Sequence, residues 1–328
     1  GSYWSPWPGS VQSIMGADYA FYQTFLANPD QHQELNHDEQ AQTLSSQSKP
    51  MISVPAARAP ESTDEHEEHA SHYPLPELDW MPLRVSPLIQ TNGKRPKVSC
   101  ILATGNRPAF TRQAIRCFLR QTFDDSELIV VDDGTRSIEQ LCAGLFRVRY
   151  IRLDQPTTLG SKLNIGIEHS TGEIIQKLDD DDFYQQDFLA RSVGALMDAS
   201  DERAIVTWDC FSIFIAGESC VRYSGHGWTT GGTLSFHRRL WDERQFRDEP
   251  RRVDTWFIED HDPRLVKICA PDLYMLVRHG RNTWGRLDTG FPVDAYFKTL
   301  SPHHKSLDEV IETIDRPFYH WLAKEGAR

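Results

Sequence analysis

Between Lys97 and Ala199 the apolar residues fall into short dense runs separated by stretches with helical spacing. Val98-Ser99-Cys100-Ile101-Leu102 meets the breaker cluster Thr104-Gly105-Asn106-Arg107-Pro108. Ala109 to Gln121 follows, with Ala114, Ile115, Phe118 and Leu119 spaced for one helical face. A second run, Leu128-Ile129-Val130-Val131, stops at Asp132-Asp133-Gly134-Thr135. A helical stretch near Ile138 to Phe146 then leads to the strand-like Val148 to Leu153. The spacing predicts a further helix over Ser161 to His169, broken at Thr171-Gly172, and a strand at Ile174-Ile175. Short β-rich runs alternating with helices predict an α/β class with a mostly parallel sheet covered on both faces.

The flanks differ in kind, which divides the chain into an extension over 1–96, a catalytic-sized domain over 97–290 and a helical extension over 291–328. In the first, Met15 to Leu26 can form one amphipathic helix, and Asn28 to about His72 has the Gln, Ser, Glu, His and Pro content of a linker. His66, His69 and His72 repeat at helix-like spacing there, but their surroundings favour a mobile segment over a zinc site. The aromatic stretch Tyr73 to Leu83 reads as a strap packed on the catalytic part. In the last, Leu307 to Ile314 predicts a final helix and Phe318-Tyr319-His320-Trp321 an aromatic cluster.

Each predicted strand of the central part ends in a polar cluster, and open α/β sheets bind ligands outside the carboxyl ends of their strands. The densest cluster is Asp179-Asp180-Asp181-Asp182 after Lys177-Leu178. Adjacent carboxylates repel and raise one another's pKa, so four together at a strand end imply a bound cation, hard and divalent, sharing a phosphate. The plainer alternative is a solvated acidic turn. On an extended segment Asp179 and Asp181 point to one side. Asp181, expected at a solvent-facing strand end, is the candidate metal ligand. Asp179 and Asp180 would orient ribose or water ligands, and Asp182 would cap a helix starting near Gln185.

Taken in order, these clusters resemble the family 2 glycosyltransferases of the GT-A fold. The resemblance rests on Thr104-Gly105-Asn106-Arg107, Asp132-Asp133-Gly134-Thr135, Asn164-Ile165-Gly166-Ile167, Thr171-Gly172-Glu173 and Leu178 to Asp182. It continues through Gly231-Gly232-Thr233-Leu234 to Glu259-Asp260. Gly105 stands where the family commonly has tyrosine. The resemblance implies a mixed, mostly parallel sheet flanked by helices, and an inverting transfer of sugar from a UDP- or GDP-type donor to a hydroxyl of a carbohydrate or glycoconjugate. It implies Mn2+ or Mg2+ as cofactor. Thr104, Asn106, Arg107, Asp132, Asp133, Asp179, Asp180 and Gly232 would then hold the nucleotide sugar.

The remaining roles follow from what such a transfer needs. Diphosphate charge must be neutralised as the glycosidic bond breaks, which a metal does as Lewis acid and template. The acceptor hydroxyl needs a carboxylate within hydrogen-bond reach. Asp260 is the candidate base and Glu259 the fallback, against the alternative of an acidic helix N-terminus favoured by the helix dipole. His279, after the apolar run Leu273 to Val277, is a candidate for the metal shell, and Arg278 for a phosphate. Lys162, near a helix start, is a further phosphate candidate.

Composition narrows the field. The chain has 328 residues, 39% hydrophobic and 11% aromatic, enough for one large core plus appendages. Its formal charge of −12 lacks the basic face that nucleic acid requires, and no apolar run approaches the roughly 20 residues of a membrane span. Six cysteines without CxxC pairs support neither a zinc site nor a disulfide framework, so reduced thiols and a cytoplasmic location are expected. Gly225 and Gly227 read as a flexible loop near the substrate. Gly1-Ser2 reads as a cloning remnant, leaving room for a further domain of a parent chain. The rival readings are a GT-A domain that binds carbohydrate or a partner without turnover, and a sugar-phosphate nucleotidyltransferase. The latter lacks its Gly-rich loop here.

Overall fold

The computed structural model describes residues 97–199, 201–285 and 292–325. The expected N-terminal helix, linker, histidine repeat and aromatic strap lie outside these residues. Strand β1 (Val98–Thr104) leads through α1 (Pro108–Leu119) to β2 (Ser126–Asp132), α2 (Glu139–Cys142), β3 (Val148–Arg152), α3 (Leu159–Glu168) and β4 (Ile174–Asp179). These are the predicted alternations. Helix α2 is a single turn rather than the expected Ile138 to Phe146. It stops at Ala143-Gly144, where Gly144 has φ 73°, and Phe146 is 83% exposed, so nothing buries a longer helix. Strand β4 extends well past Ile175 and carries Asp179 as its last residue.

Beyond the acid run come β5 (Phe183–Tyr184), α4 (Phe188–Asp198), β6 (Ile205–Cys210), β7 (Ser212–Ile215), β8 (Val221–Tyr223) and β9 (Ser235–His237). Then follow α5 (Arg238–Glu243), α6 (Val253–His261), β10 (Leu265–Cys269) and β11 (Tyr274–Arg278). The C-terminal part holds α7 (Val293–Thr299), α8 (Leu307–Val310) and α9 (Arg316–Glu325). Among the described residues no helix is long and apolar enough to cross a membrane.

The strands form two sheets. The larger has the order β10-β6-β9-β4-β1-β2-β3, with only β9 antiparallel to its neighbours. Its central strands read as continuous apolar runs because both faces are covered. Ile101, Ile129, Val131 and Ile175 pack with Leu163 and Ile167 of α3 and with Phe236, Phe257 and Ile258 in one core. This is the α/β arrangement, mixed and mostly parallel, of a GT-A-like fold.

The smaller sheet, β5-β11-β7-β8, was not expected. Its strands are two to five residues long; β7 and β8 pair locally, but the other two pairings join segments about 60 to 90 residues apart, such as Phe183 with Met275. Local periodicity cannot report such pairings. The sheet matters because the chain leaves β4 at Asp179 and enters β5 at Phe183. The acid run is therefore the bridge between the two sheets.

Candidate active site

Register assembles the site. Parallel pairing sets Thr104 beside Asp132 and Ala103 beside Asp179, so the turns after β1, β2 and β4 open side by side. Strand β1 lies between β2 and β4, and this reversal of strand order is where such sheets form a crevice.

All four aspartates are buried, between 1% and 6% exposed, so the expected solvent-facing Asp181 is corrected. Each has its own partners. Asp179 Oδ1 accepts from Lys177 Nζ at 2.5 Å. Asp180 accepts from Thr104 Oγ1 at 2.7 Å and from Arg107 Nη1 at 2.9 Å. Asp181 Oδ2 faces three donors: Arg107 Nη1 at 3.0 Å, His279 Nε2 at 3.1 Å and Asn282 Nδ2 at 3.1 Å. Asp182 accepts from Tyr274 Oη at 2.6 Å and from the Val277 N–H at 3.0 Å. It therefore ties the run to β11 and does not cap α4, whose N-cap position is Asp187. Burial pushes the Asp182 carboxyl well above the usual carboxylate range, and Asp181 and Asp179 push it further.

Arg107 is the counterweight. Burial opposes its charge, but Asp180 and Asp181 more than restore it and hold its pKa above the usual arginine value. Its Nη2 also donates to the Arg281 carbonyl at 2.7 Å. His279 stacks on Phe110 with centroids 4.4 Å apart, and the Arg281 N–H donates to its Nδ1 at 3.2 Å, which turns Nε2 toward Asp181.

A second group surrounds the β2 turn. Asp133 Oδ1 accepts from Lys162 Nζ at 2.9 Å, and the Thr157 N–H donates to Oδ2 at 2.9 Å. Asp132, fully buried, accepts from Tyr150 Oη at 2.8 Å, Arg152 Nη1 at 3.0 Å and the Gly134 N–H at 2.8 Å. Asn106, at φ 57°, accepts from both the N–H and Oγ1 of Thr135. A left-handed turn favours asparagine among non-glycine residues, and here it ties the β1 turn to the β2 turn. Gly232 enters through its carbonyl, which accepts from Tyr184 Oη at 2.9 Å, while that oxygen accepts from the Asp179 N–H.

Three expected residues are placed elsewhere. Arg278 is 1% exposed and donates to Asp294 at 2.7 Å and to the Trp284 carbonyl at 2.6 Å, so its guanidinium anchors α7 and is not available to a phosphate. Glu259 is exposed. Asp260 is bound by Arg247 at 2.6 and 2.9 Å and by Arg244 at 3.2 Å, and the Arg247 hydrogen bonds hold its carboxyl below the usual range.

The same helix offers a carboxylate that sequence reasoning missed. Asp254, in the first turn of α6, is 2% exposed, and its Oδ1 has no hydrogen-bond partner among the described residues. Burial pushes its pKa up to about 6, with Lys177 opposing and Asp179 adding to the rise. Lys177 and Asn282 were missed as well. The one available signal was Gln176-Lys177, a polar pair inside an otherwise apolar strand.

The donor set at the acid run is nearly all carboxylate oxygen, which suits a hard divalent ion. Asp179 Oδ2 is buried without a hydrogen-bond partner among the described residues, a position that a cation would satisfy. The residues present therefore fit a divalent metal.

The family described as glycosyl transferase family 2 matches residues 99–251. A GalNAc(5)-diNAcBac-PP-undecaprenol beta-1,3-glucosyltransferase of Campylobacter jejuni is 34% identical over 140 residues, which cover 40% of this chain and 43% of that protein. An uncharacterized glycosyltransferase of Haemophilus influenzae is 32% identical over 107 residues, covering 31% of this chain and 43% of that one. The chain thus spans less than half the length of these curated relatives. Among solved structures, S. aureus TarS 1-349 in complex with UDP-GlcNAc superposes with a TM-score of 0.46 at 16% identity, over 57% of this chain and 60% of that one.

Proposed function

Residues 99–251 are a family 2 glycosyl transferase domain, and from that premise we propose that this chain transfers a sugar from a nucleotide diphosphate donor to a hydroxyl acceptor. The observation that carries the proposal is the convergence of the β1 turn and the segment after β11 on Asp180 and Asp181, two buried carboxylates bound by one guanidinium. That is a site made to hold positive charge against something anionic.

In this reading Asp181 and Asp179 hold Mn2+ or Mg2+, with His279 beside Asp181. The ion supplies charge neutralisation for the diphosphate leaving group. Arg107 adds a second positive charge at the same place, and a guanidinium suits phosphate oxygens. Asp133, in the neighbouring turn, and Lys162, from α3, bind the nucleoside part. Asp254 takes the acceptor proton. Its raised pKa lies nearer the operating pH than that of Asp260, and general base catalysis favours such a match. Attack with base assistance and no covalent intermediate inverts the anomeric centre, as in inverting hydrolases. The glucosyl activity of the Campylobacter relative supports a hexose as the transferred sugar.

Calorimetry with UDP and GDP, in manganese and in chelator, tests the reading. Binding of one diphosphate is expected only with the ion, and D181N is expected to weaken it at least about tenfold, since a charge-assisted contact is worth roughly 1.5–3 kcal/mol. Equal affinity in chelator would overturn the metal role.

A further inference from the structure

The edge of the large sheet carries a second group of ligating side chains that the transfer reaction does not use. Strands β6 and β10 pair in parallel from Leu265 opposite Ile205 to Ile268 opposite Trp208. The register then shifts, and Cys269 comes opposite Cys210, passing over Asp209. Such an irregularity re-aims side chains. It has two effects here. The two sulfurs meet and are joined as a disulfide, which corrects the expectation of reduced thiols without a bridge. Asp209 is released from the ladder to face the loop after β8.

That loop is Ser224-Gly225-His226-Gly227-Trp228, with Gly225 at φ 72° and Gly227 at φ 101°. It is held rather than free. The Ser224 N–H donates to the Phe211 carbonyl at 3.0 Å, the Trp228 N–H to the Asp209 carbonyl at 3.2 Å and the Gly227 N–H to Asp209 Oδ1 at 2.7 Å. His226 Nδ1 lies 2.7 Å from Asp209 Oδ2, and its Nε2 lies 4.0 Å from Cys269 Sγ. The ligand atoms of Cys210, His226 and Cys269 all lie within 4.8 Å of one another. Lys267 Nζ stands 3.9 Å from Asp209 and adds one positive charge beside the carboxylate.

We propose that, once this disulfide is reduced, Cys210, Cys269 and His226 Nε2 bind one zinc-class ion, with Asp209 fixing the imidazole. Two sulfurs and a nitrogen are a borderline-soft donor set, unlike the oxygen set of the acid run, and they select a different metal. A carboxylate on the far ring nitrogen is the arrangement that orients a metal-bound histidine. Three protein ligands leave a tetrahedral ion one position for water. Disulfide and metal are alternative states of the same two sulfurs. A dithiol attacks the exposed Cys269 sulfur, and exchange passes two electrons and two protons to the cysteines while the dithiol leaves as its own disulfide. Ion binding then releases both protons, because thiolate is the ligand.

Cobalt(II) titration of the whole chain tests this, because thiolate ligation gives a near-ultraviolet charge-transfer band that carboxylate ligation at the acid run does not. The dithiol-reduced chain, desalted without air, is expected to take up one equivalent with that band, and zinc is expected to abolish it. The oxidised chain should show none. C269S should lose the band. H226A, a change at an exposed loop position, should weaken binding at least about tenfold and D209N by about 10–100-fold, the usual weight of an outer-shell partner. A reduced chain without the band overturns the proposal. So does an affinity unchanged in H226A, which would exclude the imidazole, or a full band in C269S, which would place the ion on Cys100, Cys117, Cys142 or Cys220 instead.

Discussion

Asp254 and Asp260 sit six positions apart on one helix, about 9 Å along its axis at about 1.5 Å per residue, yet their surroundings set them opposite tasks. Two arginines hold Asp260 ionised at the surface, whereas burial keeps Asp254 protonated until near neutral pH. D254N is expected to retain donor binding and to lose transfer by about 10²-fold or more, and D260N to stay within a few-fold, both read as kcat with a saturating acceptor. Transfer by the unaltered chain should rise with pH through about 6, and D254N should lack that limb. The same shift bears on stability. The folded state holds the Asp254 proton more tightly than the unfolded chain, so the contribution is full below the ordinary value of 3.8 and lost as pH rises through about 6. D254N should therefore match or exceed the parent in thermal stability at pH 7.5, a result that separates a functional carboxylate from a structural one. The motifs at Thr104, Asp132 and Asp179 were legible because each is a few consecutive residues at a strand end. Asp254 was not, because its raised pKa comes from burial in the folded chain and from the charges of Lys177 and Asp179, far away in sequence, and Glu259-Asp260 offered a more familiar pattern nearby.

Elements were legible where their own periodicity fixes them and obscure where a distant partner does. The stretch Leu307 to Ile314 predicts one helix, but α8 ends at Val310, starts with a Ser306 and Glu309 capping box, and gives way to extended backbone at Ile311. The long final helix is α9, which carries the aromatic cluster. Phe318 packs on Phe110 and Tyr319 on Phe183 and Phe214. Phe110 in turn stacks on His279, so α9 supports the residue beside Asp181 from behind. The turn before α9 is pinned by Asp315, fully buried, which accepts from Gln113 at 2.7 Å and from both Arg120 Nη1 and Nη2. D315A leaves buried guanidinium uncompensated and is expected to cost about 3–5 kcal/mol in denaturant unfolding, with nucleotide affinity falling alongside. At α3 the outcome turns on one atom. A Cβ on Gly166 would come within 2.6 Å of Ile101 and 3.2 Å of Val131, both fully buried. G166A should destabilise by about 1–3 kcal/mol, since overpacking outweighs the gain of about 1 kcal/mol in helix propensity.

For the molecule as a whole, ligand and fold are linked through the carboxylates that the two sheets share. Nucleotide diphosphate with manganese should raise apparent stability by about 2.7 kcal/mol at a hundredfold excess over Kd, read as a shift in thermal unfolding. Chelator should cancel the shift. D181N should cancel most of it. The bridge between the sheets also has a time course. Asp181 is 98 residues upstream of His279 and 101 upstream of Asn282. At about 5–20 residues per second of synthesis, roughly 5–20 s separate the emergence of the four aspartates from that of the strand that neutralises and pairs with them. During that interval Arg107, Thr104 and Lys177, already made, are the described residues at hand to restrain four mutually repelling carboxylates. A nascent chain halted before β11 should therefore bind no nucleotide, and the window in which this protein is most open to misfolding lies in the middle of its synthesis rather than at its end.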